Sequence, residues 1–182
     1  MGSIKGQKHN PYIQGKYGHL NPNDVVFTPD WLAKQICSMF PIRGAVLEPC
    51  KGEGAFLNHL PPNTEWCEIT EGKNYYDYNK KVDWIVTNPP YSDFNRFLEH
   101  SFNLSDNIVI LVPVAKMFKS MSTLHSIYQY GGFVEIHTLP SSKAGFPFGF
   151  PSAVYYLKKN YKGLTTIKQL DGIDWKPKKR KK

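Results

Sequence analysis

Cysteine is scarce in this chain: three in 182 residues, Cys37, Cys50 and Cys67, with no CxxC spacing. An odd number cannot all pair, and nothing here has the spacing of a structural zinc site, so neither a disulfide framework nor a metal is expected. The three read instead as reduced, mostly buried small hydrophobes. Long apolar runs are missing too. No stretch approaches the ~20 continuous apolar residues of a membrane span, and the opening MGSIKGQKHN lacks the apolar centre of a signal peptide. The expectation is a soluble intracellular protein without membrane contact, cytoplasmic or nucleoid-associated, or nuclear if its source has a nucleus.

Negative charge is absent from both ends. All 15 acidic residues fall between Asp24 and Asp174. Nine of the 23 basic residues lie outside that span: Lys5, Lys8 and Lys16 before it, and Lys176, Lys178, Lys179, Arg180, Lys181 and Lys182 after it. The span itself holds 14 basic against 15 acidic residues, close to neutral, so the net charge of +8 belongs to the ends. Two basic arms around a neutral body suit phosphate neutralisation, with Lys178, Lys179 and Arg180 as candidate contacts. The competing reading is a solubilising tail, and PKKRKK also has the composition of a nuclear-localisation signal.

What is present is globular: 41% hydrophobic and 14% aromatic residues in a length suited to one core. Residues 1–23 lack periodicity and read as a flexible basic arm. FTPDWLAKQICSMF predicts a helix with Thr28 as cap and Leu32, Ile36 and Phe40 on one face. The chain then alternates: a strand at Ala45 to Leu47, a helix GAFLNHL, strands TEWCEIT and VDWIVTN, the helix FNRFLEHSFNL, the strand NIVILVPV, and a helix from Ala115 to Tyr130. YYDYNKK reads as a loop or short edge strand. FVEIHTL and SAVYYLKK follow, joined without a helix and therefore expected to pair antiparallel. This alternation predicts an α/β fold with helices on both faces of a mostly parallel sheet of seven strands whose last strand is antiparallel. The main domain is expected over 24–160, with a C-terminal extension at 161–182 ending in the basic tail and no separate target-recognition domain.

EPCKGEG, at 48 to 54, lies between the first strand and the next predicted helix. Gly52 and Gly54 permit a tight turn and close approach of a ligand to the main chain. The dinucleotide fingerprint GxGxxG is absent. Glu48 and Glu53 would repel a pyrophosphate, whereas the sulfonium and ammonium of S-adenosylmethionine would suit them. In doubly wound folds a carboxylate at the end of the second strand, ~20 residues on, takes ribose hydroxyls. Glu68 is the candidate, with Glu71 as the alternative.

WIVTNPPY, at 84 to 91, is a buried strand cut off by two prolines that cannot donate to a sheet. The corner falls where open α/β sheets hold ligands. The amide oxygen of Asn88 and the carbonyl of Pro89, fixed by Pro90, offer two acceptors for one NH2 group. Holding both its hydrogens would draw the nitrogen toward tetrahedral geometry and expose its lone pair to an electrophilic methyl. Tyr91 could lie flat on a base.

With EPCKGEG at 48 to 54 and FTP at 27 to 29, NPPY resembles the amino-group methyltransferases dependent on S-adenosylmethionine, most of all the adenine-N6 DNA methyltransferases, over about Val26 to Leu157. The resemblance implies a Rossmann-like class I methyltransferase fold, with Asn88, Pro89, Pro90 and Tyr91 holding the target amine and base. It also implies cofactor contacts from Phe27, Thr28, Glu48, Pro49, Gly52, Gly54, Glu68, Asn74 and Asn88, and a second stacking face at Phe146 or Phe148 in FPFGF. Two departures stand out. Asn74-Tyr75 replaces the usual acid followed by Phe, leaving Asn74 or Asp77 to meet the cofactor adenine, and Lys51 is an unusual cation beside a sulfonium, expected to turn outward.

Only 33 residues separate Gly54 from Asn88 and about 25 follow the last predicted strand, too few for a base-reading module. Specificity would then be low, or come from the arms and the loop at 140–151, or from a partner subunit. DNA is the expected substrate. RNA adenine or a protein glutamine amide would suit the same chemistry, and a non-catalytic nucleic-acid-binding subunit is the alternative from another class.

Overall fold

A computed structural model describes residues 15, 16, 18, 20, 21 and 24–173. The candidate phosphate contacts Lys178, Lys179 and Arg180 lie outside the described residues. The elements run α1 (Asp30–Met39), β1 (Val46–Glu48), β2 (Glu65–Trp66), β3 (Val82–Thr87), α2 (Phe94–Leu104), β4 (Ser105–Pro113), α3 (Val114–Phe118), α4 (Met121–Tyr130), β5 (Gly131–Pro140), β6 (Pro151–Lys159) and β7 (Thr166–Gln169). They build one seven-stranded sheet in the order β2-β1-β3-β4-β6-β5-β7. β2, β1, β3 and β4 run parallel, β6 is antiparallel to both of its neighbours, and β7 is parallel to β5.

β4 shows why such a sheet needs helices on both faces. Ile108, Ile110 and Val112 join one buried cluster and Val109 and Leu111 the other, so the period-two alternation is apolar on each side. α2 covers the first cluster with Phe94, Phe97, Leu98 and Leu104, a helical stripe with Ser101 inside it. α1 covers the second with Leu32 and Ile36, both fully buried. Each such aliphatic side chain contributes roughly 1.5–3 kcal/mol on leaving water. The expected pairing of FVEIHTL with SAVYYLKK is present as β5 and β6.

Several local expectations change. GAFLNHL forms only a single 3-10 turn at Leu57–His59, because Pro61 and Pro62 stop it before a helix can repay its nucleation. The helix expected from Ala115 to Tyr130 is broken at Lys119-Ser120 into α3 and α4. YYDYNKK supplies no strand: Asn74 Oδ1 accepts from Tyr76 N and starts a 3-10 turn at Tyr75–Asp77. The seventh strand comes instead from the C-terminal extension, where β7 is exposed along its length and is followed by a buried Leu170. SAVYYLKK, the last strand expected, is β6 and is antiparallel as expected, but it lies inside the sheet with β7 after it in the chain.

Because β1 lies between β2 and β3, the chain turns away from the carboxyl ends of β1 and β3 side by side, at the place where strand order reverses. Such a crevice is the usual ligand position in an open α/β sheet. Among the described residues no helix is long and apolar enough to cross a membrane.

Candidate active site

A cavity of about 260 Å³ opens at these two strand ends. It is lined by Phe27, Pro49, Gly52, Glu68, Asn74, Asn88 and Pro90, all expected in the site. It joins the glycine corner after β1 to the Asn-Pro-Pro corner after β3. A smaller cleft of about 40 Å³ adjoins it and adds Thr28.

The glycine corner is built from positive-φ turns, +53° at Gly52 and +85° at Gly54, where any other residue is strained. Glu68 braces it: Oε2 accepts from Gly52 N at 2.9 Å, while Oε1 accepts from Thr70 N at 3.0 Å and from the Thr70 hydroxyl at 2.7 Å. Gly54 does not border the cavity, so its contribution is the shape of the turn. Glu48 also stands behind the wall, fully buried. Its Oε1 accepts from the Thr87 hydroxyl at 2.6 Å and from Cys50 N at 3.0 Å, tying β1 to the last residue of β3. Burial pushes this carboxyl up to about 8, against the pull of those hydrogen bonds, so it is mostly protonated at neutral pH. Glu53 meets Lys16 at 3.4 Å. The acidic residues bordering the larger cavity are thus Asp24 and Glu68; Glu53 lines only the adjoining cleft, and Glu48 neither.

Lys51 and Glu71 pair with each other. The ammonium lies 2.6 Å from Glu71 Oε2 and 4.0 Å from the centre of the Trp66 ring. This bond holds the Glu71 carboxyl below its ordinary range, and Glu71 does not border the cavity. Of the two candidates for an adenine contact, Asn74 lies on the cavity wall and Asp77 is exposed away from it. Beside Asn74, Ile69, Tyr76 and Phe97 make an apolar wall. The Tyr76 hydroxyl donates to Asp93 at 2.9 Å, and the Arg96 guanidinium lies 3.9 Å from the centre of its ring.

At the other corner Asn88 is oriented by partners some 60 residues away in sequence. Its Nδ2 donates to the Val26 carbonyl at 3.1 Å and to the Thr28 hydroxyl at 3.2 Å. Thr28 was expected to cap α1, yet the helix has no side-chain cap and the hydroxyl serves Asn88. Fixing the amide in this way fixes its oxygen, which accepts from the Tyr91 hydroxyl at 3.2 Å. The Tyr91 ring is 9% exposed and packed in the core, so it presents no open face for a base here. The following turn is pinned on both sides. Asp24 Oδ1 accepts from Tyr91 N at 2.6 Å and Ser92 N at 2.8 Å, its Oδ2 accepts from the Ser92 hydroxyl, and Lys116 donates to the Tyr91 carbonyl at 2.6 Å.

Sequence reasoning missed Asp24 and Lys116, and no local signal marks either. It also assigned residues up to 23 to a flexible arm, whereas Leu20 and Asn21 border the cavity and Lys16 lies 3.3 Å from Glu71. Phe146 and Phe148 are placed apart from the cavity lining. Phe146 is buried and stacked on Phe148 at 5.4 Å, and Phe148 on Phe150 at 4.2 Å, so both faces of Phe148 are flanked and Phe150, 48% exposed, ends the stack. The loop packs against the residue that precedes α1, since a Cβ at Gly145 would come within 3.2 Å of Pro29.

No protein-family model and no curated protein matches the chain in sequence. Solved structures do match in fold. A candidate RNA methyltransferase from Pyrococcus horikoshii superposes with a TM-score of 0.61 at 16% identity, over 76% of this chain and 91% of that one. A candidate class I S-adenosylmethionine-dependent methyltransferase from Listeria monocytogenes gives 0.57 at 14%, over 86% and 69%. A modification subunit of a candidate type I restriction enzyme from Vibrio vulnificus gives 0.60 at 15%, over 86% of this chain and 49% of that one. The chain has the Rossmann-like methyltransferase fold.

Proposed function

We propose that this chain is a methyltransferase that uses S-adenosylmethionine to methylate the exocyclic N6 amine of adenine in a polynucleotide, DNA foremost. The observation that carries the reading is the single cavity bounded by Gly52 and Glu68 at one end and by Asn88 and Pro90 at the other. A donor held against the glycine corner and an amine held at Asn88 would share one enclosure.

The residues suit such a cofactor. Glu68, two residues beyond β2, would accept from the ribose hydroxyls, Asn74 beside the apolar Ile69, Tyr76 and Phe97 would meet the adenine, and the carboxylates of Glu68 and Asp24 would balance positive charge. Phe27 and Pro49 flank the methionine end, and Thr28 reaches it from the adjoining cleft. When bound, S-adenosylmethionine supplies a sulfonium methyl open to direct attack.

The protein's own work is positioning. Asn88 accepts one hydrogen of the target amine through Oδ1, and the Pro89 carbonyl, held by the rigid Pro89-Pro90 pair, accepts the other. Lone-pair density on the amine nitrogen rises as both bonds form. Asn88 Oδ1 already takes a donor, the Tyr91 hydroxyl, so an incoming amine takes over that bond and Tyr91 turns out to stack on the base. An exocyclic amine needs no base to deprotonate it before attack, and the proton leaves to water afterwards. Preorganised acceptors and proximity supply the rate. With so short a connection between the two corners, target choice falls to the basic arms, the 140–151 loop or a partner subunit.

The test is to incubate the protein with S-adenosylmethionine and, separately, duplex DNA, single-stranded DNA and RNA, and to digest each to nucleosides for mass spectrometry. N6-methyladenine from DNA supports the reading, and from RNA alone moves it to RNA. Cofactor binding by calorimetry without methyladenine in any arm refutes it, and nucleic-acid binding without cofactor binding favours a non-catalytic subunit.

A further inference from the structure

Past Asn88 and Pro90 a second cavity, about 370 Å³, begins at Tyr91 and Ser92. The start of α2 contributes Asn95, α3 contributes Lys116, and the break between α3 and α4 contributes Lys119 and Ser120. A continuous helix over Ala115 to Tyr130 would not present that break. The free donors on these walls come from an amide and two lysines, while the Ser92 and Thr123 hydroxyls spend their hydrogens on Asp24 and Asn95. Asn95 Oδ1 accepts from the Thr123 hydroxyl at 2.8 Å, which leaves the NH2 end of its amide to face a ligand. Lys116 spends one of its three hydrogens on the Tyr91 carbonyl. Lys119 is exposed and has no ion-pair partner among the described residues. The one carboxylate on the wall, Asp93, is engaged by the Tyr76 hydroxyl at 2.9 Å and by Arg96 at 3.6 Å.

A cavity with two ammonium groups and one carboxylate that is already engaged takes an anion, and Tyr91 connects it to the corner that holds the amine. Resting on the reading above, we propose that this cavity binds a backbone phosphodiester of the polynucleotide next to the target adenine, with Lys119 and Asn95 as its main contacts. The phosphate would fix the nucleotide while its base reaches Asn88. Affinity from this contact is electrostatic and independent of base sequence.

The probe is a short fluorescein-labelled oligonucleotide with a single adenine, made as DNA and as RNA and read by anisotropy over a range of salt. Lys119→Ala should weaken binding at low salt and lower the salt slope by about one, with cofactor affinity and Tm at wild-type values as controls of folding. A neutral methylphosphonate beside the adenine should weaken wild-type binding and weaken that of Lys119→Ala by clearly less. Asn95→Ala should weaken binding without changing the slope. An unchanged slope in Lys119→Ala, an equal methylphosphonate effect in both proteins, or no binding of either oligonucleotide by the wild type overturns the proposal. The two readings fail separately: methyl transfer with an unaltered slope removes only the phosphate site, and an altered slope without methyl transfer removes only the activity.

Discussion

The two corners that meet at the cavity are sharp turns off neighbouring parallel strands, yet they are held in opposite ways. The glycine corner is held largely from nearby: Glu48 reaches Cys50 two residues on, and Glu68 reaches Gly52 from the adjacent strand end. The Asn88 corner is held from far away, by Val26, Thr28 and Asp24 on one side and Lys116 on the other. A glycine turn is soft, so short tethers suffice. The Asn-Pro-Pro turn is stiff but has few hydrogen bonds of its own to give, because prolines donate none, so its direction must be imposed by other segments.

That contrast can be broken most sharply at Asn88. Asn88→Ala should lower kcat by on the order of 100-fold or more while changing cofactor affinity little, since under the proposed function the acceptor it removes serves the amine. Steady-state methyl transfer with calorimetry separates the two, and a collapse of cofactor binding with kcat preserved would place Asn88 at the wrong end of the cavity. Next comes Asp24→Ala, which releases two backbone amides and a hydroxyl. A misplaced corner should cost roughly 10- to 100-fold in kcat, and hydrogen exchange at Tyr91 and Ser92 should quicken. Unaltered exchange would mean that the corner holds itself.

The glycine corner is probed by pH. The Glu48 carboxyl is raised by burial from an ordinary 4.5 to about 8. Its contribution to stability is fully present below about 4.5 and is lost as pH rises through about 8, where the buried group must ionise. The Tm difference between Glu48→Gln and wild type should therefore move in favour of the variant from pH 5 to pH 8, and a difference independent of pH would show Glu48 already ionised at pH 5. The smallest effect is expected at Glu71. Glu71→Ala breaks a partly exposed pair with Lys51 and should leave Tm and cofactor affinity near wild type. A marked loss of cofactor affinity would restore Glu71 as the ribose acceptor in place of Glu68.

Much of this arrangement was legible in the chain. β3 and α2 were marked by their apolar periods, the turn after β1 by its glycines, and the turn after β3 by Pro89 and Pro90, because strand and helix periods and the chemistry of glycine and proline are local properties. Other features were not legible. Thr28 looks like a helix cap and is an Asn88 partner. Glu48 looks like a charged cavity wall and is a buried, mostly neutral tie between β1 and β3. Phe146 looks like a free stacking face and is covered by Phe148.

The amino-acid sequence by itself determined the α/β alternation, the two corners and the residue types available for holding an amine, since each depends on neighbours a few positions apart. Tertiary structure alone decided which acids border the cavity, how the Asn88 amide faces, and that Asp24 and Lys116 clamp the turn after it. Those are hydrogen bonds and burial across 25 to 68 positions of chain, and the energy of such contacts exists only once the sheet has brought its strand ends together.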